Sequence, residues 1–152
     1  MMCAKMNRKG VTLIELVIVM VIIAIMAVLM APNIGAWLPN YRLRSAARDI
    51  ASTLRTAQVK AVSNNRDYRV QFTEGTGSSG SYVLQRDSGG FSPDGPAQTL
   101  PTGIQMTTSF NNERVDFRTN STADAGTVSL RNPRGDQRTI TVVLSTGRIT
   151  IQ

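Results

Sequence analysis

The feature that most constrains this chain is a run of sixteen residues, Leu16 to Ala31, without one polar or charged side chain. Counted from Val11, the segment to Ala31 has twenty-one residues, roughly 31 Å of helix at 1.5 Å per residue and about one hydrocarbon core. The segment 11–31 is therefore expected to be a membrane helix. Lys5, Arg8 and Lys9 precede it and Pro32 follows it, and the basic flank keeps the N-terminus cytoplasmic while the rest crosses. A cleaved secretory signal fits poorly, since its apolar stretch is about 7–15 residues and ends in small residues. Here the run is longer, and no Ala-x-Ala lies near its end. A plain signal anchor explains the length and the basic flank but not Glu15. A charge inside a bilayer segment costs about 2.5–3.5 kcal/mol and asks for a partner. Otherwise Glu15, about 6 Å from the segment's start, snorkels to the interface.

Gly10-Val11-Thr12-Leu13-Ile14-Glu15, after a short basic leader, resembles the type IV prepilin signal shared by pilins and the pseudopilins of type II secretion. The resemblance implies that a prepilin peptidase cuts after Gly10, on the cytoplasmic side, and methylates the new amine of Val11. The family usually carries Phe where Val11 stands. Glu15 takes the place of the family's buried glutamate, which meets the terminal amine of a neighbouring subunit in a fibre. Two charges that are each expensive in an apolar core become tolerable as a pair. Pro32 matches the family's proline at the end of the apolar segment, where the helix can unwind on assembly.

Cleavage there changes the composition that matters. Taking ten residues from 152 leaves 142, and losing Lys5, Arg8 and Lys9 lowers the net charge from +7 to +4. The single cysteine, Cys3, leaves with the leader, so the mature product forms no disulfide although its domain would face an oxidising compartment. Residues 32–152 are enough for one domain with its own core.

Past the apolar run, Pro32 and Pro39 bracket Asn33 to Leu38, and a kink or loosened turn is expected there. Trp37 and Tyr41 stand where interfacial aromatics anchor a membrane helix; packing within a fibre is the alternative. From Tyr41 an amphipathic helix is expected, its stripe formed by Leu43, Ala47, Ile50, Leu54, Ala57 and Ala61 at spacings of four and three. Ser63-Asn64-Asn65 ends it. The arginines off the stripe form a solvated face that could also contact neighbouring subunits. Seven short strands follow by alternation, around Tyr68–Phe72, Tyr82–Leu84, Ile104–Phe110, Val115–Phe117, Val128–Leu130, Ile140–Leu144 and Ile149–Ile151. Asn132-Pro-Arg-Gly135 and Ser145-Thr-Gly147 are turns. The expected organisation is a leader at 1–10, an assembly helix at 11–31, a kinked amphipathic continuation at 32–65 and an antiparallel β domain at 66–152. The fold class is α+β: a long N-terminal helix packed on an antiparallel sheet or sandwich.

Arg42-Leu-Arg-Ser-Ala-Ala-Arg-Asp-Ile50, Ala61-Val-Ser-Asn-Asn-Arg66, Leu100-Pro-Thr-Gly103 and Gly147-Arg148 are similar to the GspH/FimT group of minor pseudopilins and minor pilins. That resemblance implies a structural subunit at or near a fibre tip, in the inner membrane with its domain periplasmic, whose partners are other pilins or pseudopilins. The expected function is a minor pseudopilin of type II secretion that initiates or caps a pseudopilus. The alternative is a minor pilin of a type IV pilus that binds DNA during uptake.

The residue inventory disfavours catalysis. There is no histidine, and with Cys3 gone no Ser-His-Asp, Cys-His or familiar zinc site can be built. No enzyme activity, cofactor or metal is expected. Asp87 and Asp94 share a glycine-rich loop but lack a spaced calcium-ligand series. Gly75-Thr-Gly77-Ser-Ser-Gly80 spells the dinucleotide fingerprint, yet a strand rather than a helix is expected after it, so it is a hairpin loop. Leu100-Pro-Thr-Gly103 lacks the extra residue and hydrophobic tail of a sortase signal. Thirteen arginines remain after cleavage, and Arg131, Arg134, Arg138 and Arg148 near the end are the candidate contacts to a nucleic-acid backbone. The DNA-binding relatives carry Gly-Arg-x-Arg there; this chain has Gly147-Arg-Ile-Thr150, one arginine short. Ordinary solvated strand arginines are the competing account.

Overall fold

The computed structural model describes residues 11–30 and 34–152, so Gly10 and Pro32 lie outside the described residues. Two compact units divide between Ala36 and Trp37. In the first, helix α1 spans Leu13–Met30 and is apolar apart from Glu15. Its large side chains from Leu13 to Val28 are exposed on every face. Among the described residues no helix is long and apolar enough to cross a membrane.

Helix α2 spans Ile34–Ser63 and carries the second unit. It starts seven residues ahead of the expected Tyr41 and runs on through Pro39. Pro39 is the sixth residue of α2, past the first four amides that have no partner within a helix, so it costs the ladder one main-chain bond and the helix continues in spite of it. The expected stripe is buried, and Ala46 and Ala51 join it. Of its eight residues the five besides Leu43, Ile50 and Leu54 are alanines, which lets the sheets approach closely.

Ten strands follow: β1 (Tyr68–Thr73), β2 (Gly75–Thr76), β3 (Ser81–Asp87), β4 (Phe91–Pro93), β5 (Gln98–Thr99), β6 (Gln105–Thr108), β7 (Arg114–Phe117), β8 (Gly126–Arg131), β9 (Gln137–Val142) and β10 (Ile149–Ile151). They form two antiparallel sheets. One is ordered β4-β3-β1-β7 with β5 also on β3; the other is β10-β9-β8-β6-β2. The chain passes from the first sheet to the second at Glu74, between β1 and β2. Alternation along β1 sends Tyr68, Val70 and Phe72 inward, and β8 and β9 do the same with Val128, Leu130, Ile140 and Val142. These residues and the α2 stripe make one core. Each fully buried Leu, Ile or Phe in it contributes about 1.5–3 kcal/mol.

The seven expected strands are present, and β2, β4 and β5 are additional. Leu144, expected to point inward, is 57% exposed because β9 stops at Val142 and the chain turns. Gly147 takes a positive φ of 59° in that turn. Gln58 of α2 holds the turn, its Nε2 donating to the Thr146 carbonyl at 3.1 Å. Gly75–Gly80 holds β2 and one 3-10 turn before β3, as a hairpin loop requires. Leu100 is buried, the Ile104 amide donates to the Pro101 carbonyl at 3.1 Å, and Arg42 Nη1 of α2 reaches the Thr102 carbonyl at 3.3 Å. The Leu-Pro-Thr-Gly stretch is a structural turn.

Candidate assembly and interaction sites

Glu15 sits in the first turn of α1. Its backbone amide donates to Thr12 Oγ1 at 3.4 Å, and the Leu16 amide donates to the Thr12 carbonyl at 3.2 Å. Thr12 thus caps the helix and Glu15 occupies the third helical position, the spacing of a capping box. The acid lies at the end of the helix where the dipole is positive, four residues after Val11, which is 73% exposed. In the sequence Thr12 stands out only as part of the Gly10–Glu15 motif, but Thr-x-x-Glu ahead of an apolar run is also a legible cap. An apolar, outward-facing helix with one acid near its start cannot remain in water. It must be covered by lipid or by other helices.

On the second unit the four candidate arginines do not form one patch. Arg138 pairs in register with Leu130, and Arg131 with Gln137, so Arg138 shares the face of buried Leu130 while Arg131 stands on the opposite face, either side of the turn that carries Arg134. Arg148 precedes Ile149, which pairs with Val142, at least four residues along β9 from Arg138, or about 13 Å. The turn is held by Asn132, the one buried polar side chain among the described residues. Its Nδ2 donates to Asn40 Oδ1 of α2 at 3.0 Å and to Asp136 Oδ2 at 2.9 Å. Its Oδ1 accepts the amides of Arg134 and Asp136, at 3.0 and 2.9 Å. In the sequence Asn132 looked like turn punctuation and nothing more.

The acidic candidates separate as well. Asp87 Oδ1 accepts the amides of Gly89 and Gly90, each at 3.1 Å, whereas Asp94 pairs with Lys60 Nζ at 2.7 Å. Among the described residues no cluster of three or more acids could hold a metal ion. Trp37 and Tyr41 stack on each other with ring centroids 4.9 Å apart. Arg44 and Arg48 continue the same helix face, and with Arg138 and Ile151 they line a hollow.

A helical stalk whose apolar side chains face outward, followed by a helix packed on two antiparallel sheets, defines a pilin-like subunit. Residues 5–31 match the prokaryotic N-terminal methylation motif, and residues 46–147 match the type II transport protein GspH. The chain belongs to the GspH family, the minor pseudopilins and minor pilins of type II secretion and type IV pili. Solved structures share its fold. The minor pseudopilin EpsH from the type 2 secretion system of Vibrio cholerae superposes with a TM-score of 0.62 at 13% identity, covering 73% of this chain and 96% of that one. The type IV minor pilin FimU of Pseudomonas aeruginosa gives 0.58 at 19%, covering 74% and 90%. GspH of E. coli gives 0.52 at 12%, covering 81% and 94%. No curated protein sequence matches the chain.

Proposed function

We propose that the chain is a minor pseudopilin of a type II secretion system, a structural subunit that initiates or caps a periplasmic pseudopilus. Residues 1–10 are its leader, removed by prepilin peptidase between Gly10 and Val11, after which the Val11 amine is methylated. Residues 11–31 span the inner membrane from a cytoplasmic N-terminus. The domain then lies in the periplasm. On entry into the fibre, Glu15 pairs with the Val11 amine of a neighbour, and the helix loosens around Pro32. The observation that carries this is α1 itself: an exposed apolar helix with one acid in its first turn, ahead of a GspH domain.

Sequencing the mature N-terminus tests the proposal. A methylated Val11 is expected, and any other first residue sinks it. Gly10→Ala should leave the precursor uncleaved, seen as a chain longer by the leader on intact-mass measurement. Deleting the gene and scoring secretion, pilus display and DNA uptake together separates the machines. A second reading, a DNA-binding minor pilin, draws on the likeness to FimU and on the three arginines, Arg131, Arg134 and Arg138, carried at or beside the β8–β9 turn. It predicts a salt-sensitive shift of DNA by the protein, weakened when Arg134, Arg138 and Arg148 are replaced by alanine. No binding at low salt removes it.

A further inference from the structure

Trp37, Tyr41, Arg44 and Arg48 step by four, three and four residues, so they share one face of α2. The two rings are stacked yet 61% and 53% exposed. With Asn40 and Ser45 these four residues line a hollow of about 270 Å³. Arg44 and Arg48 also line a second hollow, of about 390 Å³, where Ala47 and Ile151 are apolar and Arg138 supplies a third guanidinium. The two hollows, together the groove, share Arg44 and Arg48 as a common wall, with the aromatic rings on one side of that wall and Arg138 on the other.

The described ion pairs are Lys60–Asp94, Arg114–Asp116 and Arg118–Asp124. None involves Arg44, Arg48 or Arg138. Asp136 borders Arg138, but its Oδ2 accepts from Asn132 instead. Among the described residues, then, three arginines converge without a carboxylate in ion-pair range, beside a pair of aromatic rings. Guanidinium forks match carboxylates, and exposed Trp and Tyr with Arg are the residues that anchor interfaces.

A second copy of this chain is a poor occupant. Of its ten acids, Glu15 lies in α1, and eight others accept a bond within the chain: Asp49, Asp67, Glu74, Asp87, Asp94, Asp116, Asp124 and Asp136. Only the exposed Glu113 is left to answer three arginines. We infer that this groove docks an acidic segment of a different subunit of the same assembly, with Arg44, Arg48 and Arg138 taking its carboxylates and Trp37 and Tyr41 its apolar side chains. The inference rests on the fibre-subunit reading above.

The test uses the full chain in detergent micelles and a fluorescein-labelled Asp/Glu-rich peptide, read by fluorescence anisotropy. The peptide should bind, its Lys-substituted counterpart should not, and Arg44→Glu with Arg48→Glu should weaken binding about tenfold or more. Arg55→Glu, on α2 but outside the groove, should change it less than about twofold. Arg44→Gln with Arg48→Gln repeats the test without charge reversal and should fall in between. Unchanged binding in both double variants overturns the proposal, as does an equal loss in Arg55→Glu. Tighter binding of a single-stranded oligonucleotide, or of phosphatidylglycerol vesicles, through the same arginines overturns it too, because phosphate would then be the occupant. N-terminal sequencing of the same preparations keeps the two readings apart. A wrong mature end sinks the fibre-subunit reading, whereas an unaffected peptide affinity with a methylated Val11 sinks only the groove.

Discussion

Helices α1 and α2 are built from the same backbone bonds and answer to different partners. In α1 apolar residues surround the axis, and Leu16 is 56% exposed. In α2 a stripe of them is buried, with Leu54 at its centre fully so, while Trp37, Tyr41, Val59 and Val62 stay exposed. Helical hydrogen bonds alone leave a helix marginal in water, so each helix is stabilised by what covers it. For α2 the cover is intramolecular, two sheets of the same chain. For α1 it must come from outside. The stalk is thus specified for an environment and the domain for itself.

Glu15 is where the comparison is easiest to break. If α1 is covered by other stalks, Glu15→Ala should leave cleavage at Gly10 normal and impair incorporation into the fibre. Removing one member of a buried ion pair costs about 3–5 kcal/mol, so incorporation measured by shearing and immunoblotting should fall well over tenfold. Efficient incorporation of that variant would contradict the pairing of acid and amine.

A matched pair of leucines sharpens the contrast. Leu54→Ala removes a buried side chain from the α2 stripe and should cost about 2–5 kcal/mol in denaturant unfolding of the domain. Leu16→Ala should leave that transition where it is, since Leu16 takes no part in the domain core. Equal effects would mean that α1 belongs to the same cooperative unit.

Asn132→Ala probes the join between α2 and the β8–β9 turn and should cost about 1–3 kcal/mol, because the amides of Arg134 and Asp136 lose their acceptor in a buried place. Circular dichroism with urea measures it. A loss no larger than that of an exposed control such as Arg55→Ala would show that the network carries nothing.

The elements with strong periodicity were legible in the sequence, and those set by single contacts were not. The α2 stripe stands out because its spacing repeats over five turns. The strands around Val70, Val128 and Ile140 stand out because alternation there is strict. β2 and β5 are two residues each, and β4 ends in Pro93; such pieces are strands only because β6 and β3 pair with them. The early start of α2 was hidden by Pro39, whose usual effect is to break a helix. The leader, Val11 and Glu15 were readable as a local motif. The groove at Arg44 was not, because Arg138 comes to it only through the packing of β9 beside α2, ninety-four residues later in the chain.

The smallest expected effect concerns Asp116 on β7, a residue the second unit holds at some cost. Its Oδ1 is buried without a hydrogen-bond partner, and its Oδ2 lies 3.7 Å from Arg114 Nε. Burial pushes its pKa above the ordinary carboxylate value; Arg114 opposes the shift, and Asp124 adds to it. A raised folded-state pKa means that the native protein binds the proton more tightly than the unfolded chain. The stability linked to Asp116 is therefore complete below the ordinary carboxylate value and is lost as pH rises through the raised one. Asp116→Asn removes that titration. Subtracting its unfolding free energies from those of the parent across the acid range should leave a difference that declines with rising pH and then levels. A difference that rises instead would show that Arg114 outweighs burial, making Asp116 an ordinary ion-pair partner.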